Sequence, residues 1–369
     1  MAARAKAAVL KDFGQPLAIR ELDVPELVPG AALVRVIHGG ICGTDVHLAG
    51  GHLTIPTPLV LGHEGVGEVV ALGEGLTHDA LGNPLHPGDR VGWASSIACG
   101  RCYWCLTLQE RTLCPQRRIY GINQPADRWP GLSGSWAELT YLQPGSTLVR
   151  IPPDVTPADV ISLGCAGPTV VHGLLHVTGV ALGEVVVVQG SGPVGMAAAM
   201  FAHLAGASKV ILVGGPAGRL ELARQLGVGD VHVNIFEVTD PAERVRRVLA
   251  ETEQGRGADV VVECVGLPEA VAEGLQMVRA SGRYLVLGHY TDHGTVPINP
   301  HWITRKQLKV LGSWGLSEAH YVEYVRSLQQ LRRRFDLSRL VRPYPLEAVN
   351  QALEDVRKAA VMKAALQVG

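Results

Sequence analysis

A run of valines at 185–188 ends in Gly190-Ser191-Gly192-Pro193-Val194-Gly195, and an apolar stretch of helical character, Met196–Ala207, follows at once. A strand that turns through G-x-G-x-x-G into a helix is the signature of a dinucleotide-binding βαβ unit. In that reading Gly190 permits the tight turn, Gly192 lets the backbone approach a pyrophosphate, and Gly195 lets helix and strand pack closely. The start of the helix, at Pro193 and Val194, then faces the phosphates. The plainer alternative is a structural glycine turn.

The segments beyond repeat the pattern. Lys209–Val213, Ala258–Glu263 and Arg283–Gly288 read as strands, and Gly218–Leu226 and Glu269–Ala280 as helices. β-branched strands alternating with helices imply a parallel sheet buried on both faces. The chain before residue 155 differs. Short runs such as Leu33–Ile37 give way to Gly- and Pro-rich turns, and 65–73 and 87–93 read as strands between turns. The tail carries a helix at 348–358 and a last strand, Val361–Val368, expected to fold back onto the first half. A chain of 369 residues suits two domains.

Cofactor choice stays open between NAD and NADP. The second strand ends in Val213-Gly214-Gly215-Pro216, so the acid that would bind the adenosine ribose diol is absent and Gly214 stands in its place. The nearest cation is Arg219. An Asp placed at 214 is expected to move preference toward NAD.

Seven cysteines, an odd number, and no export signal argue against a disulfide framework. Cys99, Cys102, Cys105 and Cys114 instead have the spacing of thiolates converging on one Zn²⁺, with redox use of C-x-x-C as the rival. A formal net charge of -1 gives no field for nucleic acid or an anionic membrane surface, which disfavours a zinc-ribbon nucleic-acid module. The uncharged stretches 160–183 and 185–208 are interrupted by Gly, Pro, His and hydroxyl residues, so no membrane span is expected. The chain reads as soluble and cytoplasmic.

A second ligand set is scattered. Cys42 opens CGTDVH, His63 and Glu64 lie in GHEGVGEVV, and Cys165 lies in GCAGPT. Cys, His and carboxylate all bind Zn²⁺, and three protein ligands leave a position open for substrate. Taken singly, each also reads as a buried cysteine or a turn histidine.

In this order, these motifs resemble the zinc-dependent medium-chain alcohol dehydrogenase family. Pro87–Val91, Gly134–Glu138, Gly257–Gly266 and Pro345–Asn350 extend the likeness along the chain. The resemblance implies an α/β protein: a GroES-like β-barrel-type catalytic domain at 1–166, completed by 306–369, and a Rossmann doubly wound parallel sheet domain at 167–305. The active site would lie in the cleft between them. The resemblance also implies the roles. Cys42, His63 and Cys165 would hold a catalytic zinc, with Glu64 an exchangeable ligand. Thr44 would hydrogen-bond the substrate hydroxyl, His47 would finish a relay to solvent, and Asp45 would orient His63. Thr169 would touch the nicotinamide, Lys363 would meet the pyrophosphate, and the four clustered cysteines would hold a structural zinc.

The implied activity is hydride transfer between a primary, secondary or polyol alcohol and NAD(P), giving an aldehyde or ketone. A bound Zn²⁺ would acidify the hydroxyl as it lowers the pKa of water to about 7. A homodimer or homotetramer is expected. Zinc-free quinone or enone reductases of the same superfamily are the nearest alternative, and a non-catalytic dinucleotide sensor another; the zinc ligands and the relay residues argue against them. Besides the missing acid at Gly214, two features depart from the family. Residues 106–113 make the last gap of the cluster one residue longer than usual, and the glycine usual before Lys363 is missing from Arg357–Met362.

Overall fold

Consecutive valines are satisfied in a strand covered on both faces, and Val185–Gln189 is one. In a computed structural model, which describes residues 3–368, Val186, Val187 and Val188 are all fully buried. Each contributes roughly 1.5–3 kcal/mol relative to exposure. This strand is central in a six-stranded sheet ordered Val231–Asn234, Lys209–Gly214, Val185–Gln189, Ala258–Glu263, Val278–Val286, Lys309–Gly312. Every neighbouring pair is parallel. The order reverses on either side of Val185–Gln189, which is the doubly wound arrangement.

Several details differ from the sequence reading, among them the strand Val231–Asn234 and the helix Pro241–Ala250, which it did not include. The helix expected to reach Ala280 is Pro268–Met277, and Val278 already belongs to the next strand. Val278 is fully buried and pairs with Ala258, and the ladder resumes past a bulge at Val260↔Arg283. Pairing with an existing strand overrides local helical preference here. Lys309–Gly312 was not foreseen as a strand, yet it pairs with Arg283–Val286 as the sixth. This compact unit therefore runs Ala166–Gly315, with Arg333–Phe335, past the boundary expected at 305.

The other unit comprises the residues up to Cys165, Leu316–Arg332, and those from Asp336 onward. Its larger sheet runs Leu148–Arg150, Arg90–Trp93, Gly65–Leu72, Ala32–Ile41, Lys363–Gln367, Val341–Pro345, and Leu139–Leu142 also pairs with Ala32–Ile41. The tail strand is antiparallel to Ala32–Ile41, with Ala364 opposite Ile41 and Leu366 opposite Gly39. Helix Val349–Arg357 buries Val349 and Ala352 in one core with Ile41, Leu48, Trp136 and Leu366. The tail thus completes the hydrophobic core begun by the first residues. Among the described residues no helix is long and apolar enough to cross a membrane.

Candidate active site

Cys42 ends the strand Ala32–Ile41 and caps the short helix Gly43–Ala49. The turn brings Asp45 back under it: Cys42 N donates to Asp45 Oδ2 at 2.9 Å, and the other carboxylate oxygen lies 3.1 Å from His63 Nδ1. Asp45 is fully buried. By holding Nδ1–H it leaves His63 Nε2 as the free ring nitrogen, which lies 3.4 Å from Cys42 Sγ. Cys165 Sγ is 3.7 Å from Cys42 Sγ, and Glu64 Oε1 is 3.9 Å from His63 Nε2. Sulfurs bonded to one tetrahedral zinc at ~2.3 Å stand about 3.8 Å apart. The donor atoms of Cys42, His63, Glu64 and Cys165 all lie within 4.8 Å of one another. The set fits a zinc ion.

Buried together, these groups shift one another's titration strongly. The Cys42 thiol is held well below its ordinary pKa, first by its hydrogen bond with Cys165 and then by His63 and Lys363, against the cost of burial. Burial pushes Asp45 up to about 6. Burial pushes His63 down, but Asp45 and Cys42 outweigh it and hold the ring well above its usual value.

Glu64 is pinned. Its Oε1 accepts from Cys165 N at 2.9 Å, and its Oε2 accepts from the ammonium of Lys363. Room for the carboxylate exists because Gly164 has no side chain. A Cβ there would stand 2.2 Å from Oε2, and its φ of +34° lies in the left-handed region. Lys363, expected at a pyrophosphate, is thus buried in the first unit with Glu64 as its partner. Sequence reasoning missed this ion pair, because the two residues lie far apart in the chain and no spacing links them.

Thr44 and His47 sit half-buried on the helix after Cys42, one turn apart. His47 Nδ1 contacts Nδ1 of the exposed His52 at 3.0 Å, a second imidazole that the sequence reading left unassigned.

The cysteine cluster also converges. Cys102 Sγ lies 3.5 Å from Cys105 Sγ and 3.9 Å from Cys114 Sγ, and Cys99 N donates to Cys114 Sγ at 3.4 Å. A disulfide would need ~2.05 Å; all seven cysteines are free thiols. The longer last gap is accommodated by a 3₁₀ turn, Arg111–Leu113, and Arg111 is anchored on Glu318 at 2.9 Å.

In the second unit, Gly190 has φ +108° and its N–H donates to Val213 O at 2.7 Å. A Cβ on Gly195 would stand 1.8 Å from Gly190 O, so helix Pro193–Leu204 can start here only with glycine at 195. Gly192, Pro193 and Val194 are half-buried, and Gly192 has open space over its Cα except for Arg219. This fits close approach of a dinucleotide phosphate to the first turn of the helix. Gly214 is buried under Ser191: a Cβ would meet Ser191 N and Oγ at 2.8 Å. Ser191 Oγ accepts from Gly215 N and donates to Gly215 O. The missing acid is therefore a packing consequence as well as a change of charge. Thr169 is half-buried on helix Ala166–Val170.

Residues 28–153 match the family model for an alcohol dehydrogenase GroES-like domain, and 193–330 match that for a zinc-binding dehydrogenase. The chain is 36% identical over 361 residues to a 5-exo-hydroxycamphor dehydrogenase of Pseudomonas putida, covering 97% of each. It is 31% identical to a sorbitol dehydrogenase of Halalkalibacterium halodurans over 78% of each. Among solved structures, an alcohol dehydrogenase from Thermotoga maritima superposes with a TM-score of 0.92 at 33% identity, covering 99% of both chains. A zinc-binding dehydrogenase from Sinorhizobium meliloti bound to NADP gives 0.83 at 28% identity, again over 99% of both.

Proposed function

The chain belongs to the zinc-dependent medium-chain alcohol dehydrogenase family, and from that premise we propose that its substrate is a secondary alcohol, oxidised to a ketone. The class of reaction is established by membership: an oxidoreductase using zinc and NAD(P), acting on alcohols. The relatives carry the finer reading. The Pseudomonas putida protein is named for a ring hydroxyl, and several others are named L-threonine 3-dehydrogenases, whose named carbon bears a secondary hydroxyl. A panel of matched primary, secondary and polyol alcohols tests this. Secondary alcohols should give the highest kcat/KM; a primary alcohol in first place would overturn it.

In this reading Cys42, His63 and Cys165 hold the catalytic zinc, and the observation that carries it is the convergence of their donor atoms. When bound, zinc supplies Lewis-acid polarisation of the substrate oxygen. The protein's part is preorganisation. Asp45 fixes the tautomer and direction of His63. Cys165 N and Lys363 fix Glu64 beside the ligand set, where its carboxylate would be an exchangeable ligand for a bound zinc. The Thr44 hydroxyl orients the substrate hydroxyl and accepts its proton, and His47 passes that proton outward. Cys99, Cys102, Cys105 and Cys114 hold the structural zinc. Gly190, Gly192 and Gly195, with Pro193 and Val194, cradle the dinucleotide, and Thr169 borders its nicotinamide.

The chain acts as a homo-oligomer in this reading. Lys309–Gly312 is an edge strand with Val310 exposed, an open ladder suited to pairing with a second copy. Light scattering on the wild type and Val310→Lys tests it, a monomeric wild type being the contrary result. Free cysteines throughout suit the reducing cytoplasm as its location.

A further inference from the structure

Arg219 lies near the start of helix Ala217–Gln225, beside the glycine loop. Its Nη1 is 3.6 Å from where a Cβ on Gly192 would stand. Its Nε is buried and has no hydrogen-bond partner among the described residues. Among the described residues no acid pairs with it, and burial alone pulls its pKa down. A cation that loses water without gaining a counterion is costly, and cations so placed are kept where a ligand completes them. The neighbouring acids are engaged elsewhere. Glu221 accepts from Arg224 and Gln225, and Glu237 accepts from Asn234.

The place of this cation decides which anion it suits. Gly192 caps the twelve-residue helix Pro193–Leu204, whose first N–H groups would face a bound pyrophosphate. At the end of the adjoining strand, position 214 offers no carboxylate, and the Ser191 hydroxyl fills the space one would need. An adenosine 2′,3′-diol finds no acid acceptor there. A 2′-phosphate meets no like charge and finds an uncompensated guanidinium, which binds phosphate in a planar fork. We infer that this chain takes NADP in preference to NAD, with Arg219 as the residue that selects the 2′-phosphate. The inference rests on Gly190–Gly195 being the dinucleotide loop.

The test is binding, measured calorimetrically with NADPH, NADH, 2′,5′-ADP and 5′-ADP on wild type, Arg219→Ala and Arg219→Lys. Wild type should bind NADPH about tenfold or more tighter than NADH, the scale of one charge-assisted hydrogen bond. Arg219→Ala should lose about tenfold or more for NADPH and 2′,5′-ADP while NADH and 5′-ADP change by no more than about threefold, with Arg219→Lys in between. Unchanged NADH binding also shows that the variant folds. Equal wild-type affinities, or equal losses for both dinucleotides, would overturn the inference; equal losses would put Arg219 on the shared pyrophosphate. Failure of wild type to bind either dinucleotide would instead overturn the glycine-loop reading.

Discussion

The ammonium of Lys363 rests on the carboxylate of Glu64, and the two side chains are 1% and 2% exposed. The two lie 299 positions apart in the chain, and the contact forms because the tail strand Lys363–Gln367 pairs with Ala32–Ile41 beside the ligand set. Each charge is buried only because the other is there. Lys363→Met leaves the Glu64 carboxylate uncompensated, so it should destabilise the fold by about 3–5 kcal/mol. Urea unfolding curves measure this; a loss under about 1 kcal/mol would show that the carboxylate finds another partner.

The cysteine lobe has a small core built largely of its sulfurs. Its core consists of Ala98, Cys105 and Cys114 with Cys99 and Cys102 against it, while Tyr103, Leu106 and Leu113 are exposed. Cys102→Ala should therefore remove about one zinc per chain and loosen the lobe first. Limited trypsin digestion should cut early at Arg101, Arg111, Arg117 or Arg118. Wild-type resistance in the variant would mean that the lobe folds without metal.

Gly214→Asp reads from sequence as a switch toward NAD, and the geometry changes that expectation. The new Cβ would stand 2.8 Å from the backbone nitrogen of Ser191, inside the glycine loop. The substitution should push the loop aside and weaken NADH and NADPH together. A variant that bound NADH more tightly than wild type would show that the loop yields at no cost.

Glu318 ties helix Glu318–Arg334 to the cysteine lobe, accepting from Ala98 N and from Arg111. Burial raises its pKa, but Arg111 and the Ala98 N–H outweigh burial and hold it below the ordinary value. A depressed carboxylate gives stability that is present above its unfolded pKa, ~4.3, and is lost as pH falls through the folded value. Stability of the wild type should thus fall between about pH 5 and pH 3 more steeply than that of Glu318→Gln. Parallel curves would remove Glu318 from the acid response.

Much of this was legible in the sequence because it is local or periodic. The Gly190–Gly195 loop, the valine strand before it and the C-x-x-C spacing are short-range patterns whose immediate context favours one physical reading over its rival. The union of Cys42, His63 and Cys165 was legible only through resemblance, since no periodicity links them. What escaped depends on tertiary pairing. Val278 joins a strand because Ala258 is there to pair with it. Lys309–Gly312 extends the sheet for the same reason, although its exposed residues give no buried-strand signal. Lys363 finds Glu64 only after the tail has returned.

The central claim is that Cys42, His63 and Cys165 hold the zinc on which alcohol oxidation depends. Its most direct test is metal content measured beside alcohol-dependent dinucleotide reduction, in wild type and His63→Ala purified without added metal. The account predicts about two zinc ions per wild-type chain and about one in His63→Ala, with turnover lost and dinucleotide binding kept. A wild-type zinc content near zero, or wild-type turnover in His63→Ala, would contradict it.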